Sequence, residues 1–478
     1  MSKLYVFGIG GTGARVIRSF TMLLASGVEL GSFDTIVPIL IDPDKGNGDL
    51  TRTVTTLQEY NKIHNKLHFN DAESTLFKVS LDDLGTNYRL PVANVGNMSF
   101  GDYIKYINLD NKNRALISLL FSKKNLASSM DVGFKGNPNM GSVVLNDFRN
   151  SSALNNLMSN ISAGDKIFII SSIFGGTGAA GFPLLLKTFR EADQLDLPNS
   201  ATIKNAPIGA ITVLPYFGVR PDSNSEIDME TFITKAKSAL TYYKDNMDVD
   251  ALYYICDNLK SLYDNQEGDK EQQNMAHFVE FASALAIVDF ARSNIDRNAD
   301  ENGKVFKEFA IVNDADSVNL KDLCDSTRNI VAKPLITLYL FAQFFQMHLR
   351  STWDNAWAKE KKFDDSLLTQ EFYVDLDKFL RSFMQNWLHE LASNKRSFAP
   401  FNLVSGQSHP FHSINGFEPK KSTFFGKMFG NNLDDFPAID SEMGKVSAEL
   451  KNKLSGEDYF VNVLKQAIEH VVKNKFNI

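Results

Sequence analysis

The sequence predicts an α/β fold: an open parallel sheet with helices on both faces, then a long central helix, then a mainly helical region. Three observations predict it. Apolar runs at Lys3–Phe7, Thr35–Ile41 and Lys166–Ile170 are continuous rather than alternating, as expected of strands buried on both faces. Two of these runs lead into glycine-rich turns, FGIGGTGARV at residues 7–16 and SSIFGGTGAAG at residues 171–181, and each turn opens a helical pattern. From residue 130 to 256, loop, helix and strand follow one another with helix-length spacing, which calls for crossover connections between parallel strands.

Taken in order, residues 3–45 read as strand, glycine turn, helix (Thr12–Ala25) and a second strand ending at Ile41. Residues 46–129 are polar and irregular, an elaborated connection with one strand and one or two helices around pieces such as Thr75–Val79 and Tyr103–Ile107. The run Pro207–Phe217 and the segment Val249–Leu259 are further strands. Glu271–Ile295 reads as the long helix, because Met275, Phe278, Phe281, Ala282, Leu285 and Val288 recur at near-helical spacing. A strand at Lys307–Val312 precedes helical segments near 318–360, 366–393 and 440–474. Ser397–Pro437, rich in glycine, proline, asparagine and phenylalanine, is the longest loop. This gives three units: residues 1–270, a connecting helix at 271–296, and residues 297–478.

Composition narrows the function class. A net charge of −7 provides no basic field for nucleic acid. Two cysteines, Cys256 and Cys324, both in apolar stretches, make no disulfide framework and fit a reducing, cytoplasmic setting. A strand begins at once, leaving no room for a signal peptide. The most apolar stretch, Pro334–Leu349, falls short of the ~20 residues of a membrane span and reads as a buried helix. The 37 phenylalanines imply a phenylalanine-packed core.

The glycine turns carry the chemistry. Glycine lets the backbone approach a ligand closely and point consecutive N–H groups at an anion, and the following helix aims its positive end at the same place. Gly10, Gly11, Thr12 and Gly13 form one such loop, with Arg15 just inside the helix; Gly175, Gly176, Thr177 and Gly178 form the other. Alone, Gly8-x-Gly10-x-x-Gly13 fits any Rossmann-like dinucleotide fold; two turns in one sheet suit a polyphosphate gripped from both sides. Asp42 and Asp44 end the second strand, and their alternate spacing lets both carboxylates face one magnesium ion. Capping of a turn by one of them is the competing reading. Asn137 is a candidate for the terminal phosphate, or the cap of an ordinary Asn-Pro turn.

Gly175–Gly178 resembles the signature loop of the tubulin/FtsZ superfamily, and further motifs occur in that family's order. GNPNMG at Gly136–Gly141 is similar to the Gly-Asn-Pro loop of FtsZ, Pro207–Phe217 to the strand with a Pro-Phe-like end, and Val249–Leu259 to the strand ending near ribose and base. The resemblance covers roughly residues 3–296. Phe174 stands where the family has a third glycine, and Ala179 and Ala180 replace its Thr/Ser and Gly.

The resemblance implies a tubulin/FtsZ-like GTPase domain that binds GTP or GDP with Mg2+, a central helix, and head-to-tail self-assembly with nucleotide at the subunit junction. It places Asp257 and Asn258 by ribose and base, and asks the long helix for a base reader, with Asn274, His277, Phe278 and Glu280 as candidates. FtsZ's Phe followed four residues later by Asp is absent, so guanine comes from the resemblance and not from these residues. The family's acidic loop, which acts on a neighbour's nucleotide, corresponds to NIDRNAD: Asn294, Asp296 and, one residue late, Asp300. The mainly helical C-terminal region departs from the family's sheet-based second domain and is a candidate surface for another protein. There STFFGKMFG clusters Phe424, Phe425, Met428 and Phe429. A ThiF-type adenylating enzyme, a nicotinamide-dependent oxidoreductase and a non-hydrolysing, nucleotide-gated scaffold are the alternatives.

Overall fold

The computed structural model describes residues 2–69, 76–92, 98–130, 133–134, 136–220, 229–258, 262–263, 273–295, 305–308, 315–404, 409–420 and 434–478. Seven parallel strands form the main sheet: β1 (Lys3–Ile9), β2 (Thr35–Ile41), β3 (Ser80–Leu81), β4 (Lys166–Ser172), β5 (Ile208–Val213), β6 (Ala251–Ile255) and β7 (Val305–Glu308). Their spatial order is β3-β2-β1-β4-β5-β6-β7, every neighbouring pair parallel. The chain thus moves outward one way from β1, returns, and moves outward the other way from β4. Between β1 and β4 lies the topological switch point, where the loops leaving the two strands diverge and open a crevice.

Covering both faces is what a parallel sheet of continuous apolar strands requires. On β1, Phe7 packs its ring 5.3 Å from Phe189 of helix α5 (Gly176–Arg190). The next residue, Gly8, faces helix α1 (Gly10–Ala25): a Cβ there would come within 2.7 Å of Ile17 Cδ1. Helix α2 (Gly48–His64) packs beside α1, as does helix α7 (Phe278–Arg292). On the opposite face α3 (Pro138–Asn146) lies against α5, where a Cβ on Gly141 would meet Ala180 Cβ at 2.8 Å. Helices α4 (Ser152–Ser159) and α6 (Met229–Asn246) complete the crossovers.

The expected strands are present, three of them starting where the sequence placed them. Two expectations need correction. The connection after β2 is more helical than expected: Asn47 accepts the N–H of Leu50 and caps the 17-residue α2. The central helix starts at Phe278, not at 271, and is 15 residues long. The C-terminal region is mainly helical as expected, with α8 (Asp325–Met347), α9 (Glu371–Lys378), a π-helical turn (Phe379–Gln385), α10 (Asn386–Ser393), α11 (Asp435–Leu450) and α12 (Gly456–Phe476). β7 belongs to the main sheet, so the sheet runs past the division drawn at residue 296.

Phenylalanine fills the interior, as the composition implied. Phe281 of α7 stacks on Phe398 at 4.5 Å, and Phe341, Phe345 and Tyr373 surround Phe460 of α12. At 23 residues α8 is long and apolar enough to cross a membrane, so the length argument against a span fails. It is largely buried, as expected of it: 72% of its apolar window is enclosed by the rest of the protein. Cys256 and Cys324 are both free, and both are exposed.

Candidate functional site

Both glycine turns sit at the carboxyl edge of the sheet, one leaving β1 and one leaving β4, and therefore flank the crevice. They face each other at close range. Gly10 has φ +71°, and a Cβ on it would lie 3.6 Å from Thr177 Cβ and 3.8 Å from Gly178 N. A Cβ on Gly133, at φ +82°, would lie 3.9 Å from both Thr177 Oγ1 and Pro43 Cγ. The first glycine turn and the segment before α3 therefore both close on Thr177 of the second turn, and the end of β2 lies against that segment. Each turn is held from beneath. A Cβ on Gly13 would run into Gly8 backbone at 2.5 Å, and one on Gly178 into the Ser172 carbonyl oxygen at 2.7 Å.

Neither helix that starts here is capped. The N-cap residues are Ile9 for α1 and Gly175 for α5; neither makes a side-chain cap hydrogen bond, and neither first turn contains an acid. First-turn N–H groups have no partner within a helix, and the macrodipole adds positive potential. Two uncapped N-termini converging on one crevice make a place for an anion with several oxygens. Asn137 does otherwise: its Oδ1 accepts the N–H groups of Asn139 (3.1 Å) and Met140 (3.3 Å), capping α3. The ordinary Asn-Pro turn is thus what its oxygen builds.

Asp42 and Asp44 lie on the loop leaving β2, beside the first turn. Asp42 Oδ1 accepts Asp44 N–H at 3.0 Å, and Asp44 Oδ1 accepts Gly46 N–H at 2.9 Å, so one oxygen of each shapes the loop. Burial pushes the Asp42 carboxyl up to about 7; the Asp44 N–H opposes the rise, the Asp44 and Asp49 carboxylates add to it, and Arg89 offsets part. A carboxyl destabilised as an anion by burial and by like charge is one that a cation would stabilise. The donor set fits a magnesium ion held by one or two carboxylates.

Arg15 does not turn toward the crevice. Its guanidinium enters the core and bonds Asp49 of α2 and Glu280 of α7, and donates to Tyr216 Oη at 2.9 Å. Tyr216, at the end of β5, donates to Glu280 Oε1 at 2.6 Å. Glu280 Oε2 accepts His277 N–H at 3.0 Å, and His277 Nδ1 accepts Val279 N–H at 3.1 Å, the two halves of a capping box. Arg52 donates to the other oxygen of Asp49 (3.0 Å) and to Glu390 of α10 (2.9 Å), which also binds Arg18 at 2.7 Å. Three arginines and three carboxylates are joined, their charges balanced. Arg15, Asp49 and Glu280 are at most 4% exposed.

The other residues expected at the base have partners of their own. Asp257 forms a buried ion pair with Arg396 at 2.6 Å. Asn274 lies before the helix, and its carbonyl accepts from Arg52. Asn258 is exposed at the end of β6. Phe278 packs on Phe281 and Phe398. Asn294 is exposed just past the end of α7, at the far edge of the sheet, where Lys166 of β4 donates to Ser293 O at 2.6 Å. Asp296, Asp300 and the cluster Phe424, Phe425, Met428 and Phe429 lie outside the described residues. Sequence reasoning named Glu280 only as a base reader and missed Asp49, Tyr216, Arg52 and Glu390, because no local motif joins them.

No protein-family model matches the chain, and none of the curated proteins does. Among solved structures it is similar to CetZ from Methanosaeta thermophila, at 16% identity over 61% of this chain and 51% of that one, with a TM-score of 0.28. It is also similar to CetZ2 from Haloferax volcanii, a GTPγS-bound protofilament (13% identity, 61% and 58% covered, TM-score 0.31). CetZ1 from Haloferax volcanii, a GDP-bound monomer, is a third (14%, 60% and 58%, 0.29). The chain spans between about half and three-fifths of the length of these proteins. At such scores the likeness decides nothing about its chemistry.

Proposed function

We propose that the chain is a tubulin/FtsZ-like nucleotide-binding protein that takes the triphosphate of GTP between its two glycine turns and assembles head to tail. One observation carries the reading: two uncapped helix N-termini, at Gly10 and Gly176, meet across the switch point of a parallel sheet. Backbone N–H groups of Gly10–Gly13 and Gly176–Gly178 hold the phosphate oxygens, and the Thr177 hydroxyl adds a donor. Asp42 and Asp44 hold magnesium, which when bound neutralises charge on the phosphate oxygens. Replacing both with asparagine weakens triphosphate binding about tenfold in magnesium and leaves metal-free binding within about twofold; each tenfold corresponds to ~1.4 kcal/mol. Equal losses with and without the metal would assign the pair to the loop alone.

Hydrolysis belongs to the junction between subunits. α7 runs from Glu280, beside the first glycine turn, to the far edge at Ser293. Its 15 residues span ~22 Å at about 1.5 Å per residue. Asn294 therefore leaves from the edge opposite its own phosphates, and we assign Asp296 and Asp300, which follow it in the sequence, to the phosphates of the next subunit. There a carboxylate orients water and accepts its proton. Head-to-tail contact of this kind generates open filaments.

The test is GTP turnover per molecule as protein concentration rises. The proposal expects an increase in step with light scattering, and expects Asp296→Ala to keep binding while losing turnover. Turnover that stays flat from dilute to concentrated protein contradicts the shared site. Tight binding without turnover at any concentration leaves the nucleotide-gated scaffold.

A further inference from the structure

We infer that the excursion between β3 and α3 docks on an anionic lipid surface: Leu116, Leu119 and Leu120 enter the acyl boundary while neighbouring lysines meet the headgroups. The excursion is tied off at its base. Met130 N–H donates to Met98 O at 3.1 Å and Phe100 N–H to Ser128 O at 3.0 Å, beside an antiparallel bridge between Ser99 and Ser129. It has a small core of its own, where the buried rings of Phe100 and Phe121 lie 4.7 Å apart.

Beside that core the ten-residue helix Asn111–Leu120 is turned inside out. Its polar side faces the protein. Arg114 donates to the carbonyl oxygens of Ile107 and Leu109, both at 2.8 Å, and the hydroxyls of Ser118 and Tyr106 are 2.7 Å apart. Its apolar side faces out. Leu116, Leu119 and Leu120 share one face by their i, i+3, i+4 spacing, and they are 53%, 84% and 61% exposed. Ile107, in the turn against which the helix packs, is 79% exposed as well. Single exposed apolar residues need no explanation, but a stripe of leucines opposite an inward polar face marks a surface that something covers.

Charge decides what covers it. The chain as a whole carries −7, yet this excursion holds Lys105, Lys112, Arg114, Lys123 and Lys124 against only Asp102 and Asp110. Both acids are engaged locally: Asp110 accepts the N–H groups of Lys112 and Asn113, and Asp102 accepts the Ser99 hydroxyl. The four lysines are exposed. Lys112 stands one turn before Leu116 on the same face, and Lys123 and Lys124 follow shortly after Leu120. Leucines with lysines at both ends suit a helix lying in the plane of a membrane interface, where anionic lipid attracts each lysine. A second copy meeting the same face would set lysines against lysines.

The experiment is flotation of the full chain, without nucleotide, with vesicles of phosphatidylcholine containing phosphatidylserine and with vesicles of phosphatidylcholine alone. Omitting nucleotide makes the result independent of the phosphate reading. The expected result is binding to the anionic vesicles, weakened by salt, and little to the neutral ones. Lys112→Gln should weaken binding about fivefold. Leu116→Ser, Leu119→Ser and Leu120→Ser together should weaken it more than about tenfold at an unchanged melting temperature. Failure to bind anionic vesicles, or undiminished binding by the triple variant, overturns the inference. A clear fall in the triple variant's melting temperature would give the face to the chain itself, and lost self-association in place of lost vesicle binding would give it to a second copy; either result also overturns it.

Discussion

The two ends of the crevice are built on opposite principles. At the glycine-turn end the residues are buried or half-buried, glycine keeps side chains out of the gap, and two helix N-termini lack side-chain caps and acids. At the other end Arg15, Asp49, Tyr216, His277 and Glu280 are buried and bonded to one another. One end leaves its first-turn N–H groups without side-chain caps; the other uses its polar groups to hold α1, α2, α7 and α10 together. Mutations should therefore cost stability at the closed end and binding at the open end.

The largest effect is expected at Glu280. Its removal in Glu280→Ala strands the buried Arg15 guanidinium and leaves Tyr216 Oη and His277 N–H without their acceptor. Breaking a buried pair this way costs about 3–5 kcal/mol, read from denaturant unfolding. A loss under about 1 kcal/mol would mean the cluster is more solvated than its burial indicates.

His277 comes next, through pH. Burial, reinforced by Arg15 and Arg396 and opposed by Asp257, lowers its pKa to about 4. The unfolded chain binds the extra proton near pH 6.5, the native chain only near 4. Stability from this residue is therefore whole above about pH 6.5 and drains away as pH falls toward 4, by roughly 3 kcal/mol. His277→Asn, which keeps a capping oxygen and does not titrate, should flatten that part of the stability profile. An unchanged slope would place the acid sensitivity elsewhere.

A smaller effect tests how the helical region is tied to the glycine turn. Glu390→Gln weakens the clamp on Arg18 and Arg52 and the bond to Ala276 N–H, and should cost about 1–3 kcal/mol. The least effect on stability belongs to the open end. Thr177→Glu puts a carboxylate at the start of α5, where the macrodipole favours it by about 0.3–1 kcal/mol, so the melting temperature should hold or rise while triphosphate binding disappears. A clear fall in melting temperature would show that the turn is packed and not open.

The sequence made the open end legible and the closed end nearly invisible, for physical reasons. β1, β2 and β4 are continuous apolar runs, and a turn like Gly10–Gly13 has few uses apart from close backbone approach. The cluster depends on partners 34, 265 and 372 residues apart, which no window of sequence contains. The late start of α7 has the same origin. Residues 273–277 suit a helix, but Glu390 takes the Ala276 N–H, Asn394 donates to the Ala276 carbonyl, and Arg52 takes the Asn274 carbonyl. Those contacts hold the segment extended. α2 was hidden by its threonines, whose β-branched preference blurs the helical period.

Hydrogen exchange with and without magnesium and GTP tests the central claim most directly, because it reports on both turns in one measurement. Ligand gripped from two sides should slow exchange in the peptides around Gly10–Gly13 and Gly175–Gly178 together, and leave the peptide around His277–Glu280 unchanged. Protection of one glycine turn alone, or of neither while binding proceeds, would contradict a triphosphate held between them.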